Sequence, residues 1–228
     1  NLHRRRLNCF RIIKKMMLNK LLINNEVKTP ELRFKVFLKD WEMVKLKDIA
    51  DKVIEKNVMV QHTETFTNSA EFGLISQRDY FDHSISNTDN LCTYYVVKND
   101  DFVYNPRISS FAPVGPINRN KLGRSGVMSP LYTVFRTHDI DNNFLEQYFK
   151  SEKWHSFMYM NGDTGARSDR FSIRDSVFIE MKIPYPDLQE QHKIGDYLNR
   201  IDALINLHQQ KIENLKSLKQ LLSNHMFI

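Results

Sequence analysis

Long apolar runs are missing from this sequence, as are most of the residues that build metal and redox sites. No stretch approaches the roughly 20 consecutive apolar residues that a membrane-spanning helix requires, so we expect no membrane-embedded part. The only cysteines, Cys9 and Cys92, are too few and too far apart for a disulfide framework or a CxxC site. The eight histidines show no HxxxH or HExxH spacing. These absences favour a reducing, cytoplasmic setting and argue against a metal site.

Sequence motifs for binding nucleotides and methyl donors are absent as well. There is no Gly-rich P-loop and no GxGxxG sequence. An Asp/Asn-Pro-Pro-aromatic signature is incomplete, because residues 104–107 read Tyr-Asn-Pro-Arg. The sequence therefore favours a protein without a catalytic site or a cofactor of its own.

Acidic residues are scarce in two segments, which explains the net charge of +6. Residues 1–30 hold eight basic side chains against Glu26, so the other 198 residues, with 25 basic and 26 acidic side chains, carry −1. Residues 102–138 contain no acid and five cations, which are Arg107, Arg119, Lys121, Arg124 and Arg136. Basic side chains on turns can reach a DNA groove, but an ordinary solvated loop has the same composition, and both interpretations remain open.

A second group of arginines lies in NGDTGARSDRFSIRDS, residues 161–176. Arg167, Arg170 and Arg174 are spaced by three or four residues beside a glycine turn. This arrangement can present a phosphate-binding edge. The alternative is structural, with a helix N-cap at Ser172.

Short strand-like runs and turns alternate from residue 31 to about residue 160. YYVVKNDDFVYNP predicts strands over 94–97 and 102–104 around a polar turn, and VMSPLYTVFR predicts more strand with Pro130 at an edge or bulge. DNNFLEQYFKSEKW changes to helical spacing, with Asp141 or Asn142 as N-cap. The pattern predicts an α+β domain with a mainly antiparallel sheet.

The segment IPYPDLQEQHKIGDYLNRID predicts the start of a long helix. Pro184 and Pro186 are expected to stop a strand, Asp187 to cap the helix, and Glu190 to complete a capping-box-like pair. Apolar residues then recur at steps of three and four, close to a coiled-coil seam. The seam comprises Ile194, Leu198, Ile201, Ile205, His208, Ile212, Leu215, Leu218 and Leu222.

Such a seam leaves an apolar stripe in water unless a partner covers it. We therefore expect the helix, from Pro186 to about Ser223, to drive antiparallel homodimerisation. His208 is the one polar residue of the seam, and either sets the register or lies at the seam's edge.

The N-terminal segment repeats the end of this helix. IKKMMLNKLLI at 13–23 aligns without gaps with LKQLLSNHMFI at 218–228, so that Lys14 matches Lys219. The repeat indicates that the chain begins in the tail of one helix and ends in the tail of an equivalent one. Asn1 in place of an initiating methionine agrees with a partial chain.

Several motifs resemble the specificity (S) subunits of type I restriction-modification systems. IPYPDLQEQHKIGDYLNRIDALI is similar to the start of that family's helical conserved region, and TPELRFKVFLKDWEMVKLKDIAD to the entry into its target recognition domain. Further similar landmarks follow in the same order, namely FVYNPR, GPINRN, GVMSPLYTVF and GARSDRFSIRD. The resemblance covers about residues 28–222.

The resemblance implies three regions: a basic arm at 1–29 that forms the tail of a preceding helix, a target recognition domain at 30–183, and a helical spacer at 184–228 for dimerisation and methyltransferase docking. A complete S subunit carries two recognition domains and two antiparallel spacers. This chain has one of each, so we expect a half-length subunit that pairs with another copy, or one half of a split subunit.

By the same resemblance the chain is expected to be noncatalytic and to read one half-site of a bipartite double-stranded DNA target. Methyltransferase (M) and restriction/translocase (R) subunits would supply the chemistry, with S-adenosylmethionine, ATP and Mg as their cofactors. Residues expected to contact DNA are Arg107, Asn118, Arg119, Asn120, Lys121, Arg124, Arg167, Arg170 and Arg174. Two alternatives stay open: a free-standing nuclease or methyltransferase, and a coiled-coil DNA-binding or assembly protein outside restriction-modification.

Overall fold

Residues 2–24, 26–80, 88–164 and 168–226 are described by the structure, a computed structural model. The helices, in chain order, are α1 (Leu2–Leu21), α2 (Gln77–Tyr80), α3 (Asn142–Phe149), α4 (His155–Asn161), α5 (Asp175–Phe178) and α6 (Leu188–Met226). The strands are β1 (Glu42–Lys45), β2 (Ala50–Lys52), β3 (Phe66–Ser69), β4 (Gly73–Ser76), β5 (Tyr95–Val97), β6 (Phe102–Tyr104), β7 (Ile117–Arg119), β8 (Gly126–Met128), β9 (Thr133–Thr137) and β10 (Lys182–Tyr185). Short 3-10 helices occupy Leu46–Asp48 and Thr88–Thr93.

Antiparallel pairing joins these strands, which confirms the predicted α+β class. The largest sheet has the order β2-β9-β6-β7, and the two-stranded sheets are β1-β10, β3-β4 and β5-β8. None of the helices in the described part is both long and apolar enough to span a membrane.

The two strands predicted around the KNDD turn both form, but they lie in different sheets. β5 pairs with β8, whereas β6 pairs with β7 and β9. The turn between them is held by Asp101, whose carboxylate accepts from the backbone N of Lys98 at 2.7 Å and from Arg136 at 2.8 and 2.9 Å. Arg136 is therefore a structural ion-pair partner in this domain.

A cluster of aromatic rings fixes α3 against the largest sheet. The rings of Phe102 and Phe135 stack at 5.5 Å between centroids, and Phe149 of α3 contacts both edge-on at 6.1 Å. Each fully buried ring of this kind stabilises the fold by roughly 1.5–3 kcal/mol. At the start of α3, the Asp141 carboxylate accepts from the backbone N of Phe144 at 2.7 Å, which confirms the predicted cap.

Just before α6, Pro184 does not have the role that was predicted for it. This proline lies inside β10, opposite Met43, instead of ending the strand. A two-stranded sheet tolerates it, because a proline on an edge strand need not donate a hydrogen bond. The helix begins at Leu188, and the Asp187 carboxylate accepts from the backbone N of Gln189 at 3.0 Å, as expected of a cap.

Glu190 does not form the predicted capping box. Its fully buried carboxylate accepts from Nε and Nη2 of Arg33, both at 2.8 Å, and from Nε1 of Trp41 at 3.2 Å. A buried carboxylate needs such partners, because leaving it unpaired in the interior costs several kcal/mol. The first turn of α6 is thereby tied to the segment that precedes β1.

Gly195 allows α6 to lie close to α3. A Cβ atom at this position would lie 2.8 Å from Cβ of Asn143 and 2.8 Å from the backbone N of Phe144. Glycine inside a helix costs about 1 kcal/mol relative to alanine. The close helix packing explains why it occurs here.

The prediction of an unpartnered seam on α6 is wrong for its first half. α1 packs antiparallel against α6 in the same chain. Near one end of the contact, Nδ1 of His3 lies 3.1 Å from Nδ1 of His208, and further along, Lys14 donates to the carbonyl of Leu198 at 3.1 Å. Of the seam residues, Ile194, Leu198, Ile201, His208 and Ile212 are buried, and Ile205 is half-buried. Beyond this region Leu215, Leu218 and Leu222 are 54%, 52% and 53% exposed.

Lys14 connects α1 with both α3 and α6. Its buried ammonium donates to Gln147 Oε1 at 2.6 Å and to Asp202 Oδ2 at 2.7 Å, besides the carbonyl of Leu198. Burial lowers the pKa of Lys14 to about 8, against the opposing effect of Asp202. Burial alone would raise the pKa of Asp202, but the charges of Lys150 and Lys14 outweigh it and lower that pKa. This network fixes the α+β domain on the helix pair.

Candidate nucleic-acid interface

Arg107 and Arg170 lie side by side, although 63 positions separate them in the chain. Their backbones form an antiparallel bridge, in which Ile108 N donates to the Asp169 carbonyl at 3.0 Å and Phe171 N to the Pro106 carbonyl at 2.8 Å. Within the described ranges, no carboxylate lies within 4.0 Å of the exposed Arg107 guanidinium. For Arg170 the nearest is its neighbour Asp169, at 4.0 Å. The bridge therefore places two little-neutralised arginines next to each other in the chain fold, and both line one cavity.

Three adjoining cavities, of about 480, 420 and 240 Å³, surround these arginines. Tyr132 lines all three, Arg170 lines the two larger ones and Arg107 the two smaller ones. We call this surface, defined by Pro106, Arg107, Leu131, Tyr132 and Arg170, the arginine groove. Its shape and charge suit an extended anionic ligand.

One end of the arginine groove carries an ion pair between Lys52 and Asp175. Asp175 also accepts from the Thr133 hydroxyl at 3.2 Å, and Arg174, the N-cap residue of the short α5, is exposed beside it. Glu71 lines the smallest cavity at the other end. Of the three cavities, the two outer ones are thus lined by the acids Asp175 and Glu71, and both arginines line the one between them.

Other residues predicted to contact DNA take part in the domain's own framework. The Arg119 side chain is only 9% exposed, with Nη2 at 3.0 Å from the Glu146 carboxylate and 2.8 Å from Asn143 Oδ1. Lys121 also pairs with Glu146, at 3.3 Å. The fully buried Asn120 donates to the carbonyls of Lys98 and Arg124, both at 2.9 Å.

Asn118 and Arg124 also have protein partners, and those of Asn118 line the smallest cavity of the arginine groove. The Asn118 amide donates to Asn68 Oδ1 at 2.7 Å and to the Ser69 carbonyl at 3.1 Å. Arg124 makes two hydrogen bonds of 2.7 Å to Glu64, and these bonds lower the pKa of that carboxyl. Arg167 lies outside the described residues. Contact with DNA stays a prediction for all nine positions.

Sequence reasoning missed Lys52, Leu131 and Tyr132. Leu131 and Tyr132 lie in VMSPLYTVF, which was predicted to be a strand with Pro130 at an edge or bulge. That prediction is wrong at residues 129–132, which form a turn between β8 and β9, strands of different sheets. Lys52 has no local signal, because only the fold brings it to Asp175. Within the ranges that the structure describes, no three His, Cys, Asp or Glu side chains form a group that could hold a metal ion.

Comparisons with known proteins agree with the resemblance seen in the sequence. A family model described as "Type I restriction modification DNA specificity domain" matches residues 38–217. The specificity subunit of the type I restriction enzyme MjaVIII from Methanocaldococcus jannaschii is 27% identical over 208 residues, covering 81% of this chain and 45% of that protein.

Two solved structures share the fold. The HsdS subunit from Thermoanaerobacter tengcongensis aligns with a TM-score of 0.58 and 16% identity, over 99% of this chain and 52% of that one. The S subunit of a type I restriction-modification system from M. genitalium aligns with a TM-score of 0.59 and 12% identity, over 95% and 53%. The chain thus spans about half the length of the relatives it matches.

Proposed function

Because this chain belongs to the family of type I restriction modification DNA specificity domains, we propose that it is a noncatalytic DNA-reading subunit of a type I restriction-modification system. The arginine groove is the observation that carries this proposal. Arg107 and Arg170 hold phosphates or guanine edges there, since guanidinium groups suit both ligands. Arg174 at the rim contacts the DNA backbone.

The length of the chain supports the proposal that it reads one half-site. It spans about half of each relative, so one recognition domain reads one part of a bipartite double-stranded target. We assign residues 30–183 to that domain, 184–228 to the spacer that sets the distance to the second half-site, and 1–29 to the tail of a preceding helix. The packing of α1 on α6 agrees with this assignment.

Methylation and cleavage belong to partner subunits in this proposal. Methyltransferase subunits dock on the helical spacer and use S-adenosylmethionine to methylate adenine, and a restriction subunit uses ATP and Mg. The chain itself positions them on DNA in the cytoplasm. Arg119, Lys121 and Asn120 contribute indirectly, because they hold the shape of the reading domain.

Co-expression with the neighbouring methyltransferase subunit tests the proposed function. Mapping of methylated adenines by single-molecule sequencing is expected to give a bipartite motif that disappears when this chain is omitted. A symmetric motif would mean that two copies form the reader, and an asymmetric one that a different recognition domain supplies the second half. Unchanged methylation without the chain, or none with it, would contradict the proposal.

We further propose that two copies pair through the distal part of α6. Leu215, Leu218 and Leu222 form an exposed stripe there, beyond the part that α1 covers. An apolar stripe with this spacing is stable in water when an antiparallel helix covers it. Ile201 and Ile205 contact α1 in the same chain. Changing them would disrupt the fold of one chain, so such variants cannot test pairing between two chains.

The variant Leu218→Asp/Leu222→Asp is expected to be a monomer with an intact recognition domain, because each carboxylate would be forced against an apolar partner. Analytical ultracentrifugation gives the mass, and circular dichroism monitors the fold. The control Leu204→Asp/Leu207→Asp changes leucines that are 40% and 43% exposed outside the stripe, and is expected to stay dimeric. A wild-type monomer, or a dimer of the Leu218→Asp/Leu222→Asp variant, would contradict pairing through this stripe.

A further inference from the structure

The turn between β8 and β9 presents a leucine to the arginine groove. Tyr132 N donates to the Ser129 carbonyl at 3.1 Å, and Leu131 N donates to the Ser129 hydroxyl at 3.4 Å. Pro130 fixes its own φ angle, which further limits the turn. Leu131, at the tip, is 59% exposed.

The strands on both sides of this turn hold it in place. Met128, at the end of β8, and Val134, near the start of β9, are both fully buried in one apolar cluster. The Tyr132 hydroxyl lies 3.5 Å from Thr67 Oγ1 of β3. These neighbours hold the backbone of Leu131 in a fixed position, which a contact that distinguishes one base from another requires.

A single exposed leucine is ordinary on a protein surface. Leu131 differs because it lines both larger cavities of the groove together with Pro106, Tyr132 and Arg170, and Arg107 joins it in one of them. Turn tips usually carry Gly, Asn, Asp or Ser. Here an apolar side chain shares one cavity with two arginines, which can hold phosphates beside it.

The chemistry of DNA limits what an apolar side chain can read at such a place. Phosphates and sugars carry no sequence information, and the base edges of the major groove offer hydrogen-bond donors and acceptors together with one apolar group, the C5 methyl of thymine. We propose that Leu131 contacts a thymine methyl group in the major groove of the target half-site, while Arg107 and Arg170 hold the DNA beside it. This inference rests on the proposed DNA-reading function and names one base that the groove selects.

Uracil substitution tests this contact, because it removes only the methyl group of thymine. Once methylation mapping gives the motif, each thymine of a target duplex is replaced in turn by uracil, and binding by the assembled complex is measured. One replacement is expected to weaken wild-type binding about three- to tenfold, the scale of one lost apolar contact. The same replacement is expected to have no effect on Leu131→Ala, which binds the thymine and uracil duplexes equally.

Leu38→Ala is the matched control, since Leu38 is 85% exposed and lies outside the groove. It is expected to bind like the wild type and to keep the uracil penalty. The inference is overturned if no uracil replacement weakens wild-type binding, or if the penalty persists in Leu131→Ala. A wild-type complex that prefers no motif at all would instead overturn the proposed function, so the two failures are distinguishable.

Discussion

Replacing both Arg107 and Arg170 with alanine is expected to weaken DNA binding by the assembled complex about 100- to 1,000-fold, since each well-placed arginine contributes roughly 1–3 kcal/mol. Two lost phosphate contacts would also reduce the slope of log affinity against log salt by about 2. Methylation of the target motif should fall in parallel. Fluorescence anisotropy at several salt concentrations measures both quantities.

Arg200→Ala provides the control for this variant. Arg200 is exposed on α6, and its replacement removes one positive charge, half of what the double variant loses, from a surface distant in sequence from the groove. We expect binding within about twofold of the wild type, as for most surface substitutions. An equal loss in Arg200→Ala would mean that net charge and not the groove determines affinity. An unchanged salt slope in the double variant would mean that Arg107 and Arg170 hold no phosphates.

Glu190→Ala is expected to lower the free energy of unfolding by about 3 kcal/mol. The substitution leaves the buried Trp41 indole N–H without its acceptor and removes two hydrogen bonds from Arg33. Breaking a buried pair on one side typically costs 3–5 kcal/mol, and the lower end applies because the Arg33 side chain is 15% exposed and still donates to the Lys39 carbonyl. Urea unfolding followed by circular dichroism gives the value. Because the pair joins α6 to the segment before β1, the variant should also lose protection of that segment against proteases.

Glu213→Ala is the matched control on the same helix. Glu213 is exposed and accepts from Gln209 at 2.8 Å, so its loss should change the free energy of unfolding by less than about 0.5 kcal/mol. A Glu190→Ala variant that unfolds at the same urea concentration as the wild type would show that the buried pair contributes nothing net to stability. The link between α6 and β1 would then depend on apolar packing alone.

Local patterns were sufficient to predict the elements whose signals lie within a few residues. The Asp141 cap with the apolar spacing of α3, and the Asp187 cap with the start of α6, are such cases. Contacts between residues far apart in the sequence could not be predicted in this way. The sequence shows that Glu190 follows Asp187 by three residues, which suits a capping box, but not that Arg33 approaches from 157 positions away.

The seam on α6 illustrates the same limit. Its spacing correctly indicated a helix that needs a partner, yet the partner of its first half is the basic N-terminal segment of the same chain. The positive charge of this segment hid its packing role, because a lysine such as Lys14 is normally expected at the surface. Its partners Gln147 and Asp202 are far away in the sequence. The repeat between 13–23 and 218–228 was the one signal that linked the two helices.

The candidate site was predictable in composition but not in arrangement. Arg107 and Arg170 stood out by local charge, as did Arg119 and Arg124, and nothing in the sequence separates the two pairs. The two pairs differ in the acids that the fold brings to them. Glu146 pairs with Arg119 and Glu64 with Arg124, whereas within the described residues the nearest carboxylate to Arg107 or Arg170 is that of Asp169, 4.0 Å from Arg170.

Photocross-linking to DNA tests the central claim most directly. The assembled complex would be bound to a target duplex in which 5-bromouracil replaces thymine, irradiated, digested and analysed by mass spectrometry. We predict cross-links in the peptides that line the arginine groove, around residues 105–108, 129–132 and 168–174. Cross-links confined to α6, or to the Arg119–Arg124 segment, would contradict the account.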